Sequence, residues 1–124
     1  MNECFTSTHQ WIRIEGDHVT VGITDYAQRE LGDVVFVELP RIGQLIEKGE
    51  QIATIESVKT ASDILSPLTG EIIAINTVLQ TESELVNQSP TDRGWLFKIH
   101  SNHHDFQEVM NAQQYEDYIK TLES

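Results

Sequence analysis

The chain has a single cysteine, Cys4, so no internal disulfide can form and stability has to come from packing. Positive charge is scarce. Eight Lys and Arg stand against 20 Asp and Glu, for a formal net charge of -12. A phosphate backbone or an anionic membrane surface would repel such a chain, so no nucleic-acid partner and no membrane partner is expected. No apolar run approaches the roughly 18 residues that a spanning helix needs. The start, MNECFTSTHQW, lacks the basic flank and apolar stretch of a secretory signal. Glu3, with no arginine before Arg13, is also unlike a transit peptide, so a cytoplasmic, bacterial-type protein is expected.

What is present suits one domain over residues 1–124, with a core at about 9–100 and a helical part at about 104–123. Apolar residues make up 39 % of the 124 and charged residues 23 %, enough to build a core. DHVTVGI (17–23) alternates, with Val19, Val21 and Ile23 facing one way and His18 and Thr20 the other, which predicts a half-buried strand. TDYAQREL (24–31) breaks that period. Asp25 and Gln28 have capping-box spacing and Gly32 suits a C-cap, so one short helix is predicted. DVVFVEL (33–39) is dense in β-branched and aromatic residues and reads as a core strand. QIATIE (51–56), EIIAIN (71–76) and WLFKIH (95–100) read as three more strands, SPLTG (66–70) as a turn, and LVNQSPTDRG (85–94) as a surface connection. Phe106, Val109 and Met110, then Tyr115, Tyr118, Ile119 and Leu122, recur at helical spacing. They predict one or two amphipathic helices broken near Asn111. His103 and His104 are adjacent, but no second ligand cluster accompanies them and no metal site is expected.

GEQIATI (49–55) and GEIIAIN (70–76) match at Gly, Glu, Ile and Ala with a 21-residue offset. If the two are equivalent turn-and-strand units, the centre between them falls near Lys59. That lysine is the only basic residue between Gly49 and Asp92, a stretch holding Glu50, Glu56, Asp63, Glu71, Glu82, Glu84 and Asp92. It is the middle residue of the five, Ser57 to Ala61, that join the strand ending at Glu56 to the extended SDIL (62–65). A connection of that length fits a hairpin, with Lys59 at its exposed tip. A Schiff-base lysine needs burial or nearby cations to lower its pKa, and a tip beside Glu56 and Asp63 offers neither. Covalent modification needs the opposite: an accessible amine at a fixed place. A solubilising charge is the plain alternative.

ESVKTASDILSP (56–67) resembles the lipoyl-lysine loop of the glycine cleavage system H protein family, which usually reads E-S-V-K-A-A-S-D-I-Y-S-P. The likeness continues in order through HQW (9–11), VGITDYAQ (21–28), LGDVVFVELP (31–40), KGE (48–50), GEIIAIN (70–76), ELVN (84–87) and GWLFKI (94–99). It implies a mainly β lipoyl-domain fold: a hammerhead, or barrel-sandwich hybrid, of two antiparallel sheets with a short internal helix and C-terminal helices. It implies lipoic acid on Lys59, with Glu56, Ser57, Val58 and Ala61 forming the loop that the lipoate-attaching enzyme reads. It implies a monomeric carrier rather than an enzyme. The partners it implies are a pyridoxal-phosphate glycine decarboxylase, a tetrahydrofolate-dependent aminomethyltransferase and a flavin dihydrolipoamide dehydrogenase.

The family folds its loaded arm into a cleft on the carrier. By position Asp63 matches a cleft carboxylate. Gln10 stands where most members have the glutamate of H-E-W, Glu30 falls near the same cleft, and His9 matches the family histidine. Thr60, Leu65 and Thr91 also depart from the usual residues. Gln10 leaves room for an alternative, a lipoyl delivery or regulatory module without glycine turnover. A biotin carrier fits less well, since Val58 and Thr60 replace the methionines that flank a biotinyl lysine. A 2-oxoacid dehydrogenase lipoyl domain would show D-K-A at the tip.

Overall fold

The computed structural model describes residues 2–101 and 109–123. His103, His104 and Phe106 lie outside these, as does the start of the helical part near residue 104. Among the described residues, nine strands form two antiparallel sheets. In chain order they are β1 (Asn2–Phe5), β2 (Gln10–Glu15), β3 (His18–Ile23), β4 (Val34–Glu38), β5 (Leu45–Ile46), β6 (Gln51–Ser57), β7 (Ala61–Leu65), β8 (Gly70–Ile75) and β9 (Phe97–His100). The larger sheet runs β1-β2-β3-β9-β8-β5 and the smaller β4-β6-β7. Between their inner faces lie Ile12, Val21, Val37, Ile55, Ile64, Ile72, Leu79 and Phe97, all buried. Burying each such side chain contributes about 1.5–3 kcal/mol. The mainly β architecture agrees with expectation, and the two matching segments fall on β6 and β8, one in each sheet.

β1 and β2 have no counterpart in the sequence reading. Gln10 and Arg13 interrupt the apolar pattern of β2, yet Gln10, Trp11 and Ile12 are all buried. Trp11 lies opposite Gly22 and donates its indole N–H to the Pro90 carbonyl at 2.9 Å. A Cβ on Gly22 would sit 2.5 Å from that ring, so only glycine leaves the indole room. Thr20, expected to face water, is 4 % exposed, because it sits on the central β3 between Arg13 and Lys98. In β4 the register shifts between Val34 and Phe36. The bulge turns both Val35 and Phe36 outward, at 55 % and 47 % exposed, and only Val34 and Val37 reach the core. β4 is therefore an edge strand with two buried side chains rather than a core strand.

Three α-helices complete the described residues: α1 (Asp25–Leu31), α2 (Leu85–Gln88) and α3 (Ala112–Glu123). Thr24, not Asp25, caps α1. Its Oγ1 accepts from the Ala27 N–H at 3.2 Å, and Asp25 instead takes a bond from the Gln28 carboxamide. At the other end Gly32 has φ 79° and its N–H bonds to the Gln28 carbonyl. The 85–94 stretch is not merely a surface connection, since α2 buries Leu85 and Val86. α3 starts, rather than breaks, at Asn111. Asn111 Oδ1 accepts from the Gln114 N–H at 2.8 Å, and Gln114 Oε1 accepts from the Asn111 N–H at 2.9 Å, a reciprocal cap. Val109 and Met110 precede the helix, and Met110 pairs with Phe5 in a short bridge. Of the expected stripe, Tyr115 is buried, stacked on Phe5 with ring centroids 5.0 Å apart.

Candidate arm-attachment site

The β6–β7 hairpin is tighter than expected. β6 runs through Ser57 and β7 resumes at Ala61, so the loop is Val58, Lys59 and Thr60, with Lys59 still in the middle. Ser57 organises it. Its N–H bonds to the Thr60 carbonyl at 2.8 Å, and its Oγ accepts from the N–H groups of Lys59 and Thr60 at 3.3 and 3.1 Å. The Val58 N–H bonds to the Asp33 carbonyl at 3.0 Å, which ties the tip to the start of β4. An exposed amine thus stands on a pinned backbone. Glu56, Val58 and Ala61 are exposed beside it, and Ser57 is half-buried.

The Lys59 stem passes over the end of α1, where a Cβ on Gly32 would come within 3.5 Å of Lys59 Cε. That platform is fixed by Asn87 of α2. Its Nδ2 donates to the Gly32 carbonyl at 2.8 Å and to Gln28 Oε1 at 3.0 Å, and its Oδ1 accepts from the Val34 N–H at 2.9 Å. The sequence reading passed over Asn87, because a polar residue in a short connection carries no periodic signal. Leaving one such buried backbone group unpaired costs about 1–3 kcal/mol. Asn87→Ala is expected to lose roughly that much stability in urea denaturation.

Beside the hairpin opens a cleft of about 390 Å³, within the range of small-molecule sites. Thr60, Ala61, Ser62 and Ile64 form one wall. Thr8, His9, Ile23, Tyr26, Ala27, Glu30 and Leu31 form the rest. A larger hollow of about 640 Å³ lies by β5, lined by Leu45, Glu47, Glu71 and His100 among others, away from Lys59. The smaller cleft is the one beside Lys59, since Thr60, the residue after the lysine, lines it. The lining is mixed: Ile23, Ala27, Leu31, Ala61 and Ile64 give an apolar strip, and Thr8, His9, Tyr26, Glu30, Thr60 and Ser62 give polar groups beside it. Among the described residues no group of three or more potential metal ligands is found.

Two of the four arm-cleft residues expected from sequence, His9 and Glu30, line this cleft. The other two do not. Along β7 the alternation sends Ser62 and Ile64 toward the cleft and Asp63 to the opposite face, where its carboxylate accepts from the Gln51 carboxamide at 3.0 Å. Gln10 is 3 % exposed, and its carboxamide N–H donates to the Leu65 carbonyl at 2.9 Å, tying β2 to β7. A carboxylate there would face that carbonyl with no proton to share. Asp63→Asn is therefore expected to leave the lifetime of a loaded arm unchanged, read as decay of loaded carrier without its acceptor enzyme. A several-fold faster decay would put Asp63 back at the arm.

His9 is held in an unusual way. Its φ is 67°, the one positive value outside glycine among the described residues. Its Nδ1 lies 2.9 Å from the Tyr115 hydroxyl, which lies 2.6 Å from Thr24 Oγ1. Tyr26 packs on the imidazole at 4.6 Å between centroids. Burial pushes the His9 pKa below the ordinary histidine value, against the opposing pull of Glu30.

A family model for glycine cleavage H-protein matches residues 3–122. The chain belongs to the glycine cleavage H-protein family. The glycine cleavage system H protein of Thermus thermophilus is 50 % identical over 118 residues, covering 94 % of this chain and 92 % of that protein. That of Xanthobacter autotrophicus is 46 % identical over 119 residues, covering 95 % of each. The crystal structure of a glycine cleavage system H protein from Mycobacterium marinum superposes with a TM-score of 0.88 at 34 % identity, covering 95 % of this chain and 96 % of that one. The match spans both sheets and α3, so the H-protein fold accounts for nearly the whole chain.

Proposed function

We propose that Lys59 carries a lipoyl group in amide linkage to its Nζ, and that the arm folds back into the cleft between α1 and β7. The chain is a carrier protein of glycine cleavage and not a catalyst. The observation supporting the attachment point is the pinned tip whose next residues, Thr60 to Ser62, already wall a cleft. Acylation removes the lysine charge, which suits an arm that must lie against Ile23, Leu31 and Ile64. When bound, the dithiolane supplies a sulfur to hold the aminomethyl unit and a disulfide–dithiol couple to be recycled.

The chain's own residues do three things on this reading. Ser57 and the Val58–Asp33 bond fix where the amine stands, so that an attaching enzyme meets Glu56, Val58 and Ala61 in one register. The apolar wall excludes water from the arm tip. Glu30 offers a carboxylate to a cationic cargo, an interaction stronger than a neutral hydrogen bond. The chain works with the other enzymes of the system. The finer set we propose is the pyridoxal-phosphate decarboxylase, the tetrahydrofolate-dependent transferase, the flavin dehydrogenase and a lipoate-attaching enzyme, met by a cytoplasmic monomer. Among the described residues no helix is long and apolar enough to cross a membrane. The delivery-module alternative leaned on Gln10, and Gln10 is engaged with Leu65 outside the cleft lining, so no observation favours it. The test is glycine cleavage reconstituted from purified partner enzymes. Lipoylated chain should support turnover and unmodified chain should not; equal rates would overturn the proposal.

A further inference from the structure

We infer that His9 is a positioning residue of the arm cleft, locked by Tyr115 of α3 and by Thr24, the cap of α1, as a neutral ring so that Glu30 stays available to a cationic cargo. This rests on the reading of the cleft given above. Its basis is the hydrogen-bond chain from Ala27 N–H to Thr24 Oγ1, to the Tyr115 hydroxyl, to His9 Nδ1.

Proton bookkeeping along this chain selects one arrangement. Thr24 is buried, and its oxygen already accepts the Ala27 N–H. If the threonine hydroxyl donates to Tyr115, Tyr115 is free to donate to His9 Nδ1 and every group is satisfied. If instead Nδ1 carries the proton and donates to Tyr115, the tyrosine proton turns to Thr24. The threonine proton is then left without an acceptor in a buried place, at a cost. The first arrangement puts the ring proton on Nε2 and leaves the imidazole neutral. Protonating His9 would force the second. Burial of the Tyr115 phenol also raises its pKa, so it remains a donor at neutral pH.

The cleft shows why neutrality matters. Glu30 is the one carboxylate among the described lining residues. A charged His9 would compete for it and would add a like charge beside a cationic cargo. The other titratable or charged groups on the packed elements are Asp25, Tyr26 and Arg29 on α1 and Glu116, Asp117, Tyr118, Lys120 and Glu123 on α3, and of these Tyr26 and Tyr118 have their rings against the imidazole. Arg29 is paired with Asp25 at 3.1 Å. Tyr26 has its pKa raised by burial and stays protonated. The left-handed backbone at residue 9 fits this account, since it aims the ring at α3 and the His9 N–H and carbonyl are both bonded, to Thr6 and Thr24. Through Tyr115, the C-terminal helix supports a residue of the cleft lining.

The test uses the full chain. Tyr115→Phe keeps the ring that stacks on Phe5 and deletes only the hydroxyl. In unmodified protein, the His9 imidazole followed by NMR should titrate higher in Tyr115→Phe than in the parent, because the bond favouring the neutral ring is gone. Tyr118→Phe is the control, since its hydroxyl reaches Ser7 rather than His9, and should leave the titration unmoved. In loaded carrier, Tyr115→Phe should lose its cargo several-fold faster than the parent, with the gap widening as pH falls from 7 to 6. His9→Asn tolerates a left-handed backbone and has no titrating ring, so its decay should lose the pH dependence of the parent over that range. An unmoved His9 titration in Tyr115→Phe would overturn the relay. Equal decay of loaded parent and loaded Tyr115→Phe would overturn the positioning role. A chain that never loads is seen by mass before any decay is measured, and that result would overturn the attachment reading instead.

Discussion

Lys59→Arg is expected to fold like the parent and to take up no lipoyl group from a lipoate-attaching enzyme. Arginine keeps the charge and most of the length at an exposed tip, where surface substitutions change stability by only about 0.5 kcal/mol. What it lacks is an amine that can be acylated. The loop backbone does not depend on the side chain, since Ser57 holds the Lys59 N–H whatever residue follows its Cα. Other lysines are differently placed. Lys98 Nζ lies over the Trp95 ring at 5.5 Å, and Lys120 sits on α3. Intact mass and peptide mapping should find one adduct in the parent, at Lys59, and none in the variant. An adduct on Lys48, Lys98 or Lys120 that persists in Lys59→Arg would contradict the assignment.

Deleting Thr60 is expected to abolish modification as completely, while the far-UV circular dichroism stays near that of the parent. The three-residue loop closes through Ser57 and the Thr60 carbonyl. Shortened to Val58 and Lys59, it would need a tight hairpin turn with positive φ, which a β-branched valine disfavours. The other way out is a one-residue slip of β7, which would turn Ile64 out of the core, so the strands keep their register and the tip distorts instead. Either way the amine leaves the place that the Val58–Asp33 bond gives it. Glu56→Gln changes charge without moving the backbone and should only weaken uptake. A deletion variant acylated at the parent rate would mean that position is not what the attaching enzyme reads.

These expectations show how unevenly the molecule was legible in its sequence. The exposed hairpin tip at Lys59 was legible, because a short polar connection between two apolar strands is a local pattern. The apolar alternation of β3, β6 and β8 was legible for the same local reason. β2 was not, because Gln10 is buried by a bond to Leu65, a partner 55 positions away that no local pattern reveals. Asp63 was misplaced for a simpler reason. It was carried over by its position in the family motif, but side-chain direction in a strand depends on parity, and Asp63 has the parity of the face that bonds Gln51. Asn87 acts through side-chain hydrogen bonds to α1, Gly32 and Val34 that neither periodicity nor composition marks, and the helical stripe that included Tyr115 gave no sign of its bond to His9. β4 read as core because its residues are apolar, and the bulge at Val35 that exposes two of them leaves no trace in hydrophobicity.

The most direct test of the account is the decarboxylase-dependent exchange of labelled CO2 into glycine, run with parent and Lys59→Arg chains that have both been exposed to the lipoate-attaching enzyme. The account predicts exchange with the parent and none above background with Lys59→Arg. Exchange at the parent rate with Lys59→Arg would contradict it.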